Sequence, residues 1–264
     1  MLVDSHCHLD FPELSGDLDA IFTLMRENGV GRALCISVRL EDFPRVRALA
    51  ESHDHLYATV GVHPDYEEIH EPAVEELVQL ASHPKVIAIG ETGLDYYRLK
   101  GDLEWQRDRF RTHIRAARVS GKPLVIHTRS AAADTLRIMR EEGAPEIGGV
   151  MHCFTEAWET AQAAIAMGFY ISFSGIVTFK NAQALKEVAR QVPLERMLVE
   201  TDSPYLAPVP FRGKTNQPGY VKYVAEEIAR LKGASVEEVA KKTTDNFFEL
   251  FKLKAEAAAA HGID

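Results

Sequence analysis

The segment DSHCHLD, residues 4–10, places two histidines one residue apart near the start of the chain. Side chains at positions i and i+2 of a β-strand point to the same side of the sheet. His6 and His8 therefore share one side, whereas Cys7 faces the other side. The same rule separates Cys153 from His152, and both cysteines are expected to be small packing residues. Two imidazoles on one side of a strand can bind a divalent metal, although two polar residues at a strand end would give the same pattern.

Further imidazoles and carboxylates follow other short apolar runs. They are His63 in VGVHP, Glu91 and Asp95 in GETGLD, His127 in PLVIHTR, His152 in GVMHC, and Glu200 and Asp202 in VETDSP. A set of imidazole and carboxylate donors without thiolates suits Zn²⁺, Mn²⁺, Mg²⁺ or Fe²⁺. The set exceeds the needs of one open catalytic metal and matches two carboxylate-bridged cations about 3.5–4 Å apart, which activate water for an in-line displacement.

The elements that would position these residues are eight short apolar runs that alternate with helical patterns. The runs cover residues 2–5, 32–38, 56–62, 86–89, 123–126, 149–151, 169–174 and 197–199. Helices are predicted over residues 102–120 and 220–232, and Ser235 with Glu238 forms a capping box that begins a last helix. Eight such units favour an α/β fold, a TIM-type (β/α)8 barrel, over an open doubly wound sheet. Only in a barrel do the carboxyl ends of all strands meet at one mouth.

Length and composition are compatible with one barrel. The chain has 264 residues, 46% of them hydrophobic, and we expect a single domain over residues 1–264 with a frayed helix at residues 254–264. It lacks an apolar run of about 18 residues and a signal-peptide pattern after MLVDSH, which predicts no membrane association and a cytoplasmic location. No G-x-G-x-x-G motif or P-loop supports a nucleotide cofactor.

The charge balance restricts nucleic-acid binding. With 30 basic and 39 acidic residues, the net charge of −9 speaks against wrapping a long duplex. It leaves room for a short or single-stranded end, since bound divalent cations would cancel part of the negative charge locally. The three cysteines contain no CxxC pair and predict neither a disulfide framework nor a zinc finger.

The segments DSHCHLD, GVHP, GETGLDYY, PLVIHTR, HCF and MLVETDSPYLAP with FRGKTNQP closely resemble the TatD family of metal-dependent deoxyribonucleases, which lies within the amidohydrolase-like barrels. Within that family the chain most resembles the YcfH-like branch, and the similarity extends from the first strand to TTDNFFELF. The resemblance implies a two-metal hydrolytic centre and exonuclease-like activity on DNA. The resemblance implies that His6, His8, Glu91 and Asp202 bind one cation. Glu91 would bridge to a second cation, which His127 and His152 would also bind.

Other residues receive roles around these ligands. Asp202 would also accept a proton from the attacking water, and together with Glu91 it is a catalytic candidate. Glu200 and Asp95 are predicted to lie behind the ligands, where a carboxylate fixes a histidine tautomer, although a structural salt bridge explains either acid nearly as well.

Three residues are candidates for substrate binding. His63 would donate to a substrate phosphate or orient a ligand. Arg212 and Lys214, in a glycine-containing loop after the last strand, would bind phosphate oxygens, although a solvated loop has the same composition. Tyrosines near the same mouth would stack an unpaired base or simply pack, and they are Tyr96, Tyr97 and Tyr205.

The leading functional interpretation is a phosphodiesterase that trims DNA ends with two divalent cations per chain. Its partners would be DNA ends or a small phosphoester, with no obligate protein partner. A second interpretation keeps the metal centre but assigns it an ester or amide bond, such as an aminoacyl ester on RNA. A third interpretation is a metal-binding scaffold without catalysis.

Overall fold

The computed structural model describes residues 1–254, and its centre is a sheet of eight parallel strands in the order β1 to β8. The strands are β1 (Leu2–Cys7), β2 (Val30–Cys35), β3 (Leu56–Val60), β4 (Val86–Asp95), β5 (Leu124–Arg129), β6 (Gly149–Met151), β7 (Tyr170–Phe173) and β8 (Met197–Val199). Backbone hydrogen bonds join the two ends of the sheet, because Asp202 N donates to His6 O and His8 N donates to Ser203 O, each at 2.9 Å. The predicted TIM-type barrel is confirmed, and the open sheet is wrong.

Ten α-helices follow the strands within residues 1–254. They are α1 (Pro12–Ser15), α2 (Leu18–Glu27), α3 (Phe43–Ser52), α4 (Val74–Ala81), α5 (Glu104–Ser120), α6 (Ala132–Glu141), α7 (Trp158–Ala166), α8 (Gln183–Gln191), α9 (Val221–Lys232) and α10 (Val236–Leu250). The predicted helices at 102–120 and 220–232 correspond to α5 and α9. None of the described helices is long and apolar enough to cross a membrane. The frayed helix predicted at 254–264 lies, from residue 255 onwards, outside the described residues.

The end of α5 and the beginning of α10 have the capping residues that the sequence predicts. Helix α5 ends before Gly121, whose φ of +70° favours glycine. Helix α10 begins after Ser235, whose hydroxyl accepts a hydrogen bond from Glu238 N at 3.1 Å. Asn246 of α10 donates to the carbonyl oxygen of Met197, the first residue of β8. Helix α10 therefore covers the barrel at the amino ends of the strands, opposite the carboxyl ends.

Apolar side chains pack on both sides of the sheet, inside the barrel and between the strands and the helices. Inside it, alternate strand residues form one buried cluster, which includes Val3, Leu34, Ile87, Val125, Val150 and Leu198. Phe247 of α10 and Phe251, the residue after that helix, belong to this cluster and close it at the amino ends of the strands. Cys7 belongs to the other cluster, between the strands and the helices, as the two-residue period predicts. Burying each large apolar side chain contributes roughly 1.5–3 kcal/mol, so these layers hold the strand ends in fixed positions.

Strand β4 differs most from the sequence prediction. It continues to Asp95, whereas the apolar run ends at residue 89, and its register against β5 shifts between Ile89 and Thr92. A Cβ atom on Gly93 would collide with the carbonyl oxygen of His127. Glycine at this position lets β4 approach β5 closely, which brings the carboxylate of Asp95 beside the imidazole of His127.

Candidate metal centre

The six predicted ligands meet at the carboxyl ends of the strands. They are His6 and His8 from β1 and the residue after it, Glu91 from β4, His127 from β5, and His152 and Asp202 from the loops after β6 and β8. All except the fully buried His6 line a cavity of about 760 Å³ at the barrel mouth. The barrel therefore brings residues from both ends of the chain into one cluster.

Glu91 lies at the centre of this cluster and is almost completely buried. Its Oε2 atom is 3.3 Å from Nε2 of His6. Its Oε1 atom is 2.7 Å from Nε2 of His152 and 3.2 Å from Nδ1 of His127. The two oxygens of one carboxylate thus face different imidazoles, which is the arrangement expected of a ligand that bridges two cations.

Asp202 lies on the β1 side of the cluster. Its Oδ1 atom is 3.5 Å from Nε2 of His6 and 3.4 Å from Nε2 of His8, and the two nitrogens are 3.3 Å apart. The backbone of Asp202 has a φ of +56°, which is uncommon for a residue other than glycine and is often found at functional sites. Three donor groups therefore converge on one point beside Oε2 of Glu91.

Two further carboxylates lie behind the histidines. Oε1 of Glu200 is 3.2 Å from Nδ1 of His152 and also accepts a hydrogen bond from Cys153 N at 2.8 Å. Oδ2 of Asp95 is 3.1 Å from Nε2 of His127. Each of these histidines thus has one nitrogen beside a carboxylate and the other directed at Glu91. Glu200 and Asp95 occupy the positions from which carboxylates orient metal-binding histidines.

The donor chemistry of the cluster fits divalent cations. When Nδ1–H of His152 donates to Glu200, the lone pair remains on Nε2, which has no hydrogen-bond partner although it lies 2.7 Å from Oε1 of Glu91. Donation from Nε2–H of His127 to Asp95 likewise leaves the lone pair on Nδ1, facing the same oxygen. Buried electron-pair donors facing one another at such distances need a cation or a proton between them.

The electrostatics of the cluster favour bound positive charge. Burial alone raises the pKa of Glu91, but the imidazoles around it, with His152 the strongest, outweigh burial and hold the pKa well below its usual value. Burial lowers the pKa of His152, but the carboxylates of Glu91 and Glu200 outweigh burial and raise that pKa well above its usual value. Glu91 is therefore ionised at neutral pH, and metal cations would displace protons from the imidazoles on binding.

His63 lies at the edge of the cluster. Its Nδ1 atom accepts a hydrogen bond from Asp65 N at 3.1 Å, so the neutral ring carries its proton on Nε2, which is 3.4 Å from Oε1 of Glu91. Burial lowers the pKa of His63 to about 3, although Glu91 opposes the shift. His63 is therefore a neutral N–H donor that faces the cavity. His63, Glu91 and His127 also form one of three donor groups close enough to hold a metal ion.

The two predicted phosphate-binding cations lie elsewhere. Neither Arg212 nor Lys214 is among the described residues that line the cavity. The guanidinium carbon of Arg212 is 3.7 Å from the ring centre of Phe179, and the ammonium nitrogen of Lys214 is 5.9 Å from that of Phe211. Both cations therefore lie against aromatic rings, Arg212 against a ring of another loop and Lys214 against a ring of its own loop, and neither lines the cavity.

The cations that do line the cavity are Arg98 and Arg129, which the sequence prediction missed. Arg129 follows His127 by two residues on β5 and so lies on the same side of the strand, a signal that was available in PLVIHTR. Arg98 lies in the loop after β4 and pairs with Asp65 at 2.9 Å. Nothing in the spacing of Arg98 indicates its position.

The aromatic and sulfur side chains around the mouth also differ from expectation. Of the three predicted tyrosines only Tyr205 lines the cavity, together with Phe11 and Tyr66. Cys153 lines it as well, with its sulfur 3.3 Å from the hydroxyl of Ser174, so its interpretation as a residue that points away is wrong. The reason is that β6 ends at Met151, and Cys153 has a φ of +43°, so strand alternation no longer applies.

Known proteins share both the sequence and this arrangement of strands. A family model described as TatD related DNase matches residues 3–252. This chain belongs to the TatD family. The family resemblance predicted from the sequence motifs is thus confirmed.

The relatives of this TatD-family chain match it over almost its whole length. It is 50% identical over 258 residues to the Escherichia coli K12 protein named as the uncharacterized metal-dependent hydrolase YcfH. The match covers 96% of this chain and 97% of YcfH. The metal-dependent hydrolase YabD of Bacillus subtilis 168 is 42% identical over 254 residues, with 96% and 100% covered. The crystal structure of YjjV, a TatD homolog from Escherichia coli K12, superposes with a TM-score of 0.89 at 30% identity, with 96% and 98% covered. The protein is a metal-dependent hydrolase of the TatD family.

Proposed function

We propose that this TatD-family hydrolase is a phosphodiesterase that trims DNA ends with two divalent cations, as an exodeoxyribonuclease does. The observation that carries the proposal is that Oε2 of Glu91 faces the imidazole of His6, whereas Oε1 faces the imidazoles of His127 and His152. In this proposal one cation is held by His6, His8, Glu91 and Asp202, and the second by Glu91, His127 and His152.

Asp202 is the group that accepts the proton of the attacking water. Two bound divalent cations would lower the pKa of that water and stabilise negative charge on the phosphate oxygens. The side chain of Asp202 is 16% exposed and lines the cavity. Burial raises its pKa, but the hydrogen bond with His8 and the neighbouring imidazoles outweigh burial and lower it. The carboxylate is therefore ionised at neutral pH and competent as a general base.

Three other residues keep the reacting groups in position. Glu200 and Asp95 hold the rings of His152 and His127 through one nitrogen each, which leaves the other nitrogen free to bind a cation. His63 directs its Nε2–H into the cavity, where it would donate to a non-bridging phosphate oxygen. This arrangement fixes the geometry before the substrate arrives, which is what electrostatic catalysis requires.

The shape and charge of the cavity favour a strand end over a duplex. Its volume of about 760 Å³ accommodates a nucleotide-sized ligand. The net charge of −9 gives no broad basic face for a long duplex. The description of the family model as a DNase supports DNA as the nucleic acid. A cytoplasmic location and a single domain over residues 1–264 remain predictions.

A second candidate function is hydrolysis of an ester or amide bond, such as an aminoacyl ester on RNA, by the same centre. The observation in its favour is that one of the two cavity arginines, Arg98, is already paired with Asp65. A substrate with fewer negative charges than DNA would suit such a cavity. A metal-binding scaffold without turnover is the third candidate, and the following experiment separates all three.

The experiment compares hydrolysis of a labelled single-stranded oligonucleotide and of an ester and amide panel with Mg²⁺, Mn²⁺ or Zn²⁺. The proposal predicts metal-dependent shortening from an end, reduced at least about 1,000-fold in Glu91→Gln. Glu146→Gln is the matched control, because Glu146 pairs with Arg118 on the surface. Faster turnover of an ester or amide would support the second function, and tight metal binding without any turnover would support the third.

A further inference from the structure

Arg129 is an unneutralised cation in the wall of the active-site cavity. It is the last residue of β5, is half-buried and lines the cavity. Because it follows His127 by two residues, its Cα atom lies about 6.6 Å further towards the mouth. Within residues 1–254 its guanidinium has no hydrogen-bond or ion-pair partner, and its contact is the ring of Tyr97, with the guanidinium carbon 3.9 Å from the ring centre.

The ring that supports Arg129 is itself fixed to the candidate metal centre. Oδ1 of Asp95 accepts hydrogen bonds from the backbone nitrogens of Tyr97 at 2.8 Å and Arg98 at 2.9 Å. The other oxygen of Asp95 contacts His127. One carboxylate thus connects a histidine of the cluster to the loop that supports the guanidinium. Arg129 is therefore held at a fixed place relative to the centre before any ligand binds.

Stacking on Tyr97 leaves the N–H donors of the Arg129 guanidinium free to bind a ligand. A guanidinium that lies over an aromatic ring presents its N–H donors sideways, in the fork that matches two oxygens of a phosphate. Arg98, the other cavity arginine, already donates to Asp65 at 2.9 Å. Placing an unpaired, partly desolvated cation here costs free energy unless a ligand anion binds it.

Aromatic rings line the opposite side of the cavity. Phe11 stacks on the ring of His8 with centroids 4.6 Å apart, and Tyr205 meets Phe11 edge-on at 6.3 Å. Tyr205 is 52% exposed, so its ring is accessible from the mouth. A flat, apolar group can stack on this wall while an anionic group reaches Arg129.

We propose that Arg129 binds a second phosphate of the substrate, different from the one that is hydrolysed. This inference rests on the proposed phosphodiesterase function and makes Arg129 the residue that distinguishes an oligonucleotide end from a diester with a single phosphate. Arg129 is a substrate-binding residue in this scheme, and Tyr97 positions it.

The experiment compares three compounds that differ by one phosphate: TpT, pTpT and TpTp, made from thymidine. Their kcat/KM values are measured with Mn²⁺ for the wild type and for Arg129→Gln, Arg129→Lys and Tyr97→Leu. Dissociation constants of thymidine 5′-monophosphate and thymidine 3′,5′-bisphosphate are measured by calorimetry on the same proteins. Arg140→Gln is the matched control, because Arg140 is an exposed arginine in the last turn of α6.

The wild type is expected to prefer pTpT or TpTp over TpT, and the bisphosphate over the monophosphate, by roughly 10- to 100-fold. Arg129→Gln is expected to abolish this preference, so that kcat/KM falls roughly 10- to 100-fold more for pTpT or TpTp than for TpT, which lacks the second phosphate. Arg129→Lys and Tyr97→Leu should retain part of the preference, because a point charge or an untethered guanidinium binds phosphate less well. Arg140→Gln should behave as the wild type.

The inference would be overturned if the wild type showed no preference for an extra phosphate, or if Arg129→Gln kept the preference undiminished. A general loss of activity on all three compounds in Arg129→Gln would point to a structural role instead and would also overturn it. If the wild type cleaves none of the compounds, the proposed function fails. In that case the dissociation constants of the monophosphate and the bisphosphate still test whether Arg129 binds a second phosphate.

Discussion

Nε2 of His152 lies 2.7 Å from Oε1 of Glu91, and no hydrogen bond joins the two atoms. Glu200 engages the opposite nitrogen of the same ring at 3.2 Å. The ring of His152 therefore lies between two carboxylates, and in its neutral form the Nε2 lone pair faces an oxygen of Glu91. A proton or a metal cation must lie between these two atoms, and Glu200 is a testable part of the site.

Replacing Glu200 with Gln is expected to weaken metal binding at the site of His152 by roughly 10- to 100-fold. The neutral amide can donate to Nδ1 of His152 as well as accept from it, so it no longer imposes the tautomer that leaves the Nε2 lone pair free. Competition titration with a metal chelator measures the change. Glu195→Gln, at an exposed residue 3.7 Å from Lys242, is the control and should bind metal normally. Equal metal affinity in Glu200→Gln and the wild type would show that Glu200 has only a structural role.

Replacing Asp202 with Asn is expected to lower kcat by about 100- to 10,000-fold, because the amide cannot accept the proton of the attacking water. The pKa of Asp202 is lowered, so the wild-type base is already ionised at pH 5 and its ionisation adds no rise in kcat between pH 5 and 7. In Asp202→Asn, hydroxide from solution replaces the base, and the residual rate should rise as the pH rises. A pH profile of kcat measures both features, and near wild-type kcat in the variant would exclude Asp202 as the base.

The fold should lose stability in mildly acidic solution because of His113. This fully buried histidine accepts a hydrogen bond from Val62 N at 3.0 Å, and its Nδ1 lies 2.8 Å from the carbonyl oxygen of Arg109. Burial lowers its pKa to about 4 from 6.5 in the unfolded chain. Between these values the unfolded state binds more protons, so the free energy of unfolding decreases as the pH falls from about 6.5 towards 4.

The contribution of His113 amounts to roughly 2 kcal/mol between pH 7 and pH 5. Urea unfolding of the metal-free protein at several pH values measures it, with His113→Leu as the comparison. The variant is less stable at pH 7, because Val62 N loses its acceptor, but its stability should fall less on acidification. Identical pH dependence in the two proteins would contradict the assignment of a neutral, buried His113.

Arg212 and Lys214 remain candidates for binding substrate beyond the cavity. We expect the double variant Arg212→Gln/Lys214→Gln to cleave a dinucleotide normally and to bind a longer single strand less tightly. Two lost phosphate contacts should reduce the slope of log K against log salt concentration by about 1.4. Fluorescence titration of a labelled oligonucleotide at several salt concentrations measures this slope. A raised KM for the dinucleotide would instead place both residues inside the active site.

The ligand positions could be predicted from the sequence because they depend on short-range rules. The two-residue period of a strand puts His6 and His8 on one side, and parallel strands bring their carboxyl ends together in a barrel. His127 and His152 follow from the same rules. These residues sit at or just after strand ends, where a local pattern determines the direction of a side chain.

The remaining features depend on contacts between distant segments, which the pattern does not contain. Arg212 does not line the cavity, and its guanidinium lies over the ring of Phe179, a residue of another loop. Strand β4 extends to Asp95 because Gly93 lets it approach β5. Cys153 faces the cavity because the chain leaves the strand before it. Loop conformation and close backbone approach were therefore the points at which prediction from one sequence failed.

The proposal that two cations flank Glu91 is tested most directly by crystals of the protein soaked in Mn²⁺. An anomalous difference map should show two peaks about 3.5–4 Å apart on either side of the Glu91 carboxylate. One peak should contact His6 and His8, and the other His127 and His152. A map with a single peak, with none, or with peaks away from Glu91 would contradict the two-cation centre on which the proposed function rests.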